Sequence, residues 1–443
     1  MIYHLVRELV RLTAHIFYRH IEVVGSEHIP TQGAIIFFGN HPNSLLDPAL
    51  ITAFGERKIH FMAKDTLFSN PLMNTLLKQM GAVPIRRRKD QAEGKLDNHD
   101  AFEALYEVLT QGGAMGIFPE GISHNGTQLS ELKTGAARIA LAMKERGINV
   151  QLVPCGLTYL RRDHFRSAVL IQFGDALSVE DLYRQGKETA RALTDQMEMH
   201  LRALTVNAET WEDLSLLDTV RRLYQPPKIT VEQRVELARR FNTHYPKIKE
   251  KQEVKLLADE VKNYQESLYL LGLQDRDISG SLSALTLFGR SIRHFIFTLF
   301  WFPLALLGSP IHFPLAYILG RGSRLMAPRK DVIATTKFIA GFLMLNALYL
   351  GLGLWAWQLG YGTWSFAVPI VFAFSGFGCL KLAERGRSLW RTIWIWTHCI
   401  SAKHTIKELR ATRRKLHQEI LVTVNEHLPQ DIERLFYQDT NQD

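Results

Sequence analysis

The sequence has 443 residues, enough for more than one domain and a sizeable core. Its formal charge of +9 favours polyanionic partners, either nucleic acid or the anionic face of a membrane. Its three cysteines, Cys155, Cys379 and Cys399, match no zinc or redox spacing, which excludes a disulfide framework and fits a reducing compartment.

Mean hydropathy is near zero, yet that average joins a polar first two-thirds to an apolar tract between Phe295 and Leu382. The opening, residues 1–24, sets Ile2, Leu5, Val6, Leu9, Val10, Ile16 and Phe17 on one helical stripe with Arg7, Glu8, Arg11, His15 and Arg19 mostly opposite. Its charges interrupt the apolar run too early for a signal peptide. An amphipathic helix of this kind suits a membrane surface and the core of a following domain equally well.

From Gly33 to about Gly174, short apolar runs alternate with amphipathic stretches. The runs are Ala34–Phe38, Ile59–Ala63, Ala82–Ile85, Ala114–Phe118, Val150–Cys155 and Val169–Phe173. Helical periodicity marks Asn70–Met80, His99–Thr110 and Lys133–Glu145. The pattern predicts one α/β domain over residues 25–177 with a mixed, mostly buried sheet. Residues 178–290 are rich in charge and helix formers and read as a helical extension without a cluster that looks chemical.

A membrane region is expected over residues 291–400. Phe338–Leu359 is long enough to cross a hydrocarbon core of about 30 Å, and Trp364–Leu382 marginally so. The link Gly360–Thr363 carries no charge, whereas Lys330 and Lys337 precede the pair and Lys381, Arg385, Arg387 and Arg391 follow it. The positive-inside tendency then puts both outer ends on the cytoplasmic side. Phe295–Leu319 is flanked by arginines at both ends and interrupted by Pro303, Pro310 and Pro314, so the expectation there is a re-entrant segment. Residues 401–443 read as a charged helix and tail.

Four stretches carry chemistry. In I-I-F-F-G-N-H-P-N-S-L-L-D-P, Ile35 to Pro48, an apolar strand delivers Asn40, His41 and Asp47 into a polar turn. That is where open α/β sheets tend to place their sites. Histidine takes a proton from a hydroxyl near neutral pH, and a nearby aspartate fixes its tautomer and stabilises the imidazolium. In G-A-V-P-I-R-R-R-K-D, Gly81 to Asp90, a strand ends in Arg86, Arg87 and Arg88, whose guanidinium forks suit phosphate or carboxylate. In M-G-I-F-P-E-G-I-S-H-N-G-T, Met115 to Thr127, Pro119 and Gly121 hold a tight turn around Glu120, which can accept a hydrogen bond from a hydroxyl. Lys133, Thr134 and Gly135 open the next helix, an anion-friendly position. The fourth, L-V-P-C-G-L-T-Y, is by itself only a strand whose Pro154 marks its exit.

As a set, in this order and spacing, these blocks resemble the glycerolipid acyltransferase family, which moves a fatty acyl group from a thioester to a hydroxyl of a glycerol phosphate or lysophospholipid. The resemblance implies His41 as catalytic base, Asp47 as its partner, Arg87 as a phosphate contact, and Glu120, Gly121 and Ser123 lining the acceptor site, with Asn40 and Lys133 nearby. Five residues, Pro42 to Leu46, separate the histidine from the aspartate where most of the family has four. That longer spacing, L-K-T-G-A-A-R and the distant K-D-V-I-A-T-T-K, Lys330 to Lys337, look like the fungal-type glycerol-3-phosphate and dihydroxyacetone-phosphate acyltransferase branch. Ile122–Ser123 stands where the lysophosphatidate enzymes have Thr–Arg, so phosphate contact falls to Arg87, His124 or Lys133.

The resemblance therefore implies a membrane O-acyltransferase with its catalytic domain on the cytoplasmic side. Acyl-CoA or acyl-carrier protein would be co-substrate, no metal or other cofactor would be used, and the acceptor would be glycerol-3-phosphate, dihydroxyacetone phosphate or lysophosphatidate. A non-catalytic lipid-binding protein of the same fold is the rival reading, supported only by the altered His–Asp spacing. Nucleic-acid binding ranks lower, because the basic residues largely flank apolar segments or the site.

Overall fold

The computed structural model describes residues 2–69, 71–85, 99–280 and 284–427. The chain divides into two compact units. The first comprises residues 1–209, 230–239 and 327–338, and the second residues 210–229, 240–326 and 339–443.

In the first unit, helix α1 (Ile2–Phe17) is followed by strands β1 (His20–Val24) and β2 (Ala34–Gly39), helix α2 (Leu46–Phe54), strand β3 (Ile59–Lys64), helix α3 (Pro71–Gln79) and strand β4 (Val83–Ile85). Then come α4 (His99–Thr110), β5 (Ala114–Ile117), α5 (Gly135–Glu145), β6 (Val150–Tyr159), β7 (Ala168–Phe173), β8 (Leu177–Ser178), α6 (Val179–Arg184) and α7 (Ala190–Leu204). The sheet order is β1-β7-β6-β2-β5-β3-β4, with β8 beside β6. Pairing is parallel except where β6 meets β7 and β8, so the sheet is mixed as expected.

The period of two along β2 explains the layering. Ala34, Ile36 and Phe38 face one layer with Met115, Ile117, Val150 and Leu152, and α4, α5 and α7 cover it through Leu105, Leu109, Ile139, Met143, Leu193 and Met197. Both faces of β2 are buried, so it reads as a continuous apolar run. Gly116 is required in β5 because a Cβ there would sit 2.2 Å from the Phe61 ring.

Two expectations for this unit are corrected. The helix expected over residues 1–24 stops at Phe17, and His20–Val24 is an edge strand in parallel register with Ala168–Gln172. Part of α1 faces inward, since Ala14 and Phe17 are buried and the Arg11 guanidinium donates to the Ala53 carbonyl at 2.9 Å, while Leu5, Leu12 and Ile16 stay exposed. Strand β6 does not exit at Pro154 but runs on to Tyr159. Its first half pairs with β2 and its second half, from Cys155, turns to β7, where the Pro154 carbonyl still accepts from the Gly174 amide. The unit also reaches beyond 177, taking in β8, α6, α7, the first turns of α9 (Val231–Ile248) and residues 327–338.

The second unit is helical: α8 (Trp211–Tyr224), the rest of α9, α10 (Gln252–Leu270), α11 (Asp275–Ser279), α12 (Ala284–Met326), α13 (Ile333–Gln358), α14 (Ala367–Ser401) and α15 (Lys403–His427). Buried carboxylates join its polar helices: Asp275 accepts from Arg413 and Tyr264, and Asp277 from Arg391. Among the described residues, three helices are long and apolar enough to cross a membrane. Helices α12 and α14 pack antiparallel, shown by the pairs Phe288–Trp396, Phe297–Arg385, Trp301–Phe377 and Leu304–Ser375.

The re-entrant turn expected over 295–319 is not formed: α12 is one helix through Pro303, Pro310 and Pro314. A proline removes one helical donor, and neighbouring hydroxyls or helices can re-satisfy the freed carbonyl. Here the Ser309 hydroxyl donates to the Leu306 carbonyl, the group that Pro310 cannot reach.

Candidate functional site

Strands β2 and β5 lie side by side in parallel register, Phe38 opposite Ile117, so the chain leaving each at its carboxyl end enters the same edge of the sheet. From β2 come Asn40 and His41; from β5 come Phe118 and Glu120. Asn40 extends the β2–β6 pairing with its side chain, donating to the Leu157 carbonyl at 3.0 Å and accepting from the Leu157 amide at 2.7 Å. That double bond to β6 fixes where the next residue, His41, begins.

The turn after His41 contains Ser44 in the left-handed region, φ 49°, which reverses the chain so that Asp47 enters the first turn of α2. Asp47 is fully buried. Its Oδ2 accepts from the Asn43 amide at 2.7 Å and lies 2.9 Å from His41 Nδ1, while its Oδ1 accepts from the Tyr159 hydroxyl at 2.6 Å. A carboxylate so surrounded accepts the Nδ1 proton and leaves Nε2 as the basic nitrogen. Burial, followed by the Asp47 charge, pushes the Tyr159 phenol well above its ordinary range, so Tyr159 remains a donor. The His41 ring stacks on Phe118, centroids 4.1 Å apart and planes at 8°, and Phe118 stacks on Phe61. The imidazole is thus held by ring and carboxylate together.

Glu120 is buried and frames the second turn. Its Oε1 accepts from the His41 amide at 2.8 Å, its Oε2 from the Ser130 amide at 2.9 Å, and His124 also bonds it. Burial acts to raise its pKa, but the bonds from His124, Ser130 and His41 outweigh that and hold it below the usual carboxylate range. Gly121 has φ 76°, and a Cβ on it would come 2.5 Å from Lys133 Nζ.

A cavity of about 40 Å³ opens at this edge, lined by Asn40, His41, Glu120, His124, Arg162 and Asn207 among others. Of the residues singled out from the sequence, Asn40, His41, Glu120 and His124 line it and Asp47 backs it. Gly121, Ser123 and Lys133 do not line it. Ser123 is buried, donating to Asp331 at 2.6 Å and accepting from Arg329 at 3.1 Å. Arg87, with Arg86 and Arg88, lies outside the described residues.

Three partners were not assigned from the sequence. Tyr159 closes the fourth block, which had shown only a strand. Thr335, buried, donates to the Asn43 carbonyl at 2.6 Å and accepts from the Leu46 amide at 3.2 Å, and Asp331 holds Ser123. Both lie in K-D-V-I-A-T-T-K, which carries part of the resemblance to the fungal-type branch but gives no indication of what it touches. Nothing in the local sequence marked Arg162.

A family profile described as "Acyltransferase" matches residues 20–158, and a second, "Glycerol-3-phosphate acyltransferase 2 C-terminal domain", matches residues 216–432. The chain thus carries a region similar to acyltransferase domains followed by one similar to the C-terminal domain of glycerol-3-phosphate acyltransferase 2. Among curated relatives, glycerol-3-phosphate O-acyltransferase 2 of Saccharomyces cerevisiae is 27% identical over 372 residues, 75% of this chain and 50% of that one. Glycerol-3-phosphate O-acyltransferase 1 of the same yeast is 26% identical over 365 residues, 75% of this chain and 48% of that one. A 1-acyl-sn-glycerol-3-phosphate acyltransferase of Borreliella burgdorferi is 26% identical over 189 residues, 42% of this chain and 73% of that one. The chain spans about half the length of the two yeast relatives.

Proposed function

We propose that this protein transfers a fatty acyl group from a thioester, acyl-CoA or acyl-carrier protein, to a hydroxyl of glycerol-3-phosphate. The observation that carries the reading is the His41–Asp47 pair at 2.9 Å with His41 lining the cavity, in a chain matching both the acyltransferase profile and the glycerol-3-phosphate acyltransferase C-terminal profile. Dihydroxyacetone phosphate presents the same hydroxyl-and-phosphate pattern. The match to a 1-acyl-sn-glycerol-3-phosphate acyltransferase supports lysophosphatidate as a second acceptor reading.

In the proposed reaction the acceptor O–H gives its proton to His41 Nε2 as its oxygen bonds to the thioester carbonyl carbon. Asp47 stabilises the imidazolium, and Tyr159 and the Asn43 amide hold the Asp47 carboxylate in place. Collapse of the tetrahedral intermediate breaks the C–S bond, and the departing thiolate takes the proton from the imidazolium. Glu120, through the His41 amide, holds the base against the second turn. Gly121 permits that turn and keeps Lys133 beside it, while Arg87 retains a phosphate role on the resemblance alone. The membrane reading puts the catalytic unit on the cytoplasmic side, supported by the basic residues that flank α13 and α14.

The test is acyl transfer by the full chain in membranes, with labelled acyl donor against glycerol-3-phosphate, dihydroxyacetone phosphate and lysophosphatidate in parallel. His41→Ala is expected to lose roughly a hundredfold or more in turnover with unchanged expression and membrane association. Near wild-type turnover in that variant would remove His41 from the mechanism.

A further inference from the structure

Arg162 follows the end of β6 and lines the cavity that holds His41. Its Nη1 donates to Asn125 Oδ1 at 3.1 Å and its Nη2 to the Gly126 carbonyl at 3.1 Å. Both acceptors are neutral, and among the described residues Arg162 forms no ion pair. Burial holds its pKa below the usual guanidinium range, against the pull of Asp47, Tyr159 and Glu120. Those carboxylates are committed elsewhere: Asp47 to His41, Asn43 and Tyr159, and Glu120 to His41, Ser130 and His124.

A desolvated guanidinium is costly unless an anion completes it, and two fixed neutral acceptors orient the fork without neutralising it. The position also matters. Ser123, expected in the acceptor site, has its hydroxyl bound to Asp331 and Arg329 and does not line the cavity, whereas Arg162 does. His124 also lines the cavity, but it is tied to Glu120 and to the Ser130 hydroxyl.

We infer that Arg162 binds the phosphate monoester of the acceptor within the described part of the site, holding it so that the neighbouring hydroxyl reaches His41. This rests on the acyltransferase reading above and adds the group that selects a phosphorylated acceptor. A planar fork suits two phosphate oxygens at once, and Asn40, His124 and Asn207 beside it make this part of the cavity polar. Glycerol-3-phosphate and lysophosphatidate share that chemistry, as does the 3′-phosphate of a CoA donor, and the experiment separates them.

The full chain in detergent would be prepared as wild type, Arg162→Gln and Arg162→Lys. Apparent KM would be measured for glycerol-3-phosphate, lysophosphatidate and the acyl donor, with thermal stabilisation by inorganic phosphate as a readout that needs no turnover. Arg162→Gln is expected to raise the acceptor KM roughly ten- to a hundredfold, leave the donor KM unchanged and abolish stabilisation by phosphate. Arg162→Lys should recover part of both, since its folding and charge are retained while the fork is lost. Whichever acceptor shows the KM effect is the one the site serves. A rise in donor KM alone would assign the charge to CoA and overturn the inference, as would unchanged acceptor KM and phosphate response in a folded Arg162→Gln. A wild-type chain that transfers no acyl group yet shows Arg162-dependent phosphate stabilisation would defeat the proposed function and leave the anion site standing.

Discussion

At the scale of single residues, the site depends on what surrounds the carboxylate as much as on the imidazole. Asp47 has two oxygens in a buried setting, and Tyr159 supplies the donor for one of them at 2.6 Å. Tyr159→Phe keeps the ring and its place beside Tyr18, centroids 5.9 Å apart, but strips that donor. A hydrogen bond to a buried charge contributes about 1.5–3 kcal/mol, so turnover is expected to fall roughly ten- to a hundredfold with little change in either KM. Steady-state kinetics at saturating donor and acceptor check this; unaltered kcat would mean that the Asn43 amide alone keeps Asp47 in place. His41, Asp47, Asn40 and Glu120 were readable because their strand-to-turn context is local. Tyr159 was not: its importance arises only because β6 continues through Pro154 to a point 112 positions from Asp47. Ser123 was read as an acceptor contact because its position in the motif is local, whereas its partners Arg329 and Asp331 are more than two hundred residues away.

At the scale of elements, the six apolar runs from Ala34 to Phe173 each correspond to a strand, since a buried parallel strand announces itself by composition. Amphipathic helices such as His99–Thr110 were equally plain. The failures have physical causes. Strand β1 was absorbed into the opening helix because His20–Val24 alternates too briefly to separate from a helical stripe. The prolines of α12 argued for breaks, but an apolar helix pairing with α14 continues through them. The segment 327–338 shows the same difficulty in another form: sequence order places it among apolar helices, and its hydrogen bonds place it in the first unit. Thr335 stands on both sides of the His41–Asp47 turn, donating to the Asn43 carbonyl and accepting from the Leu46 amide. Thr335→Val preserves shape but removes both of these bonds, leaving the Asn43 carbonyl and the Leu46 amide bonded to each other at 3.1 Å. The expected result is a loss of about 1–3 kcal/mol in thermal or chemical stability together with lower kcat. Thr335→Ser should restore most of both; if Val matches wild type in kcat, the clamp serves folding alone.

At the scale of the whole molecule, composition divided the chain correctly into a mixed α/β part and a helical, partly apolar part, because hydropathy averages over long windows. What it could not convey is that the boundary is crossed repeatedly, with residues 230–239 and 327–338 returning to the first unit. Helix α13 has 26 residues, about 39 Å at 1.5 Å per residue, and its apolar portion is long enough for a hydrocarbon core. A single cysteine replacing Gly360, in the uncharged link before α14, is expected to react with an impermeant maleimide from the side opposite to one replacing Lys330. Labelling of both from the same face would show that α13 lies along the membrane instead of across it.

The return of residues 327–338 also dictates an order of events during synthesis. A ribosome makes the His41–Asp47 turn early, but the hydroxyl that braces it belongs to Thr335, which emerges only after all of α12. Ser123 waits in the same way for Asp331. Until then the nascent chain carries His41 on an unbraced turn, with the first long apolar helix already translated. Completion of the site therefore follows the point at which that helix can enter a bilayer, and a chain released before it would hold every local motif of an acyltransferase without the clasp that fixes them.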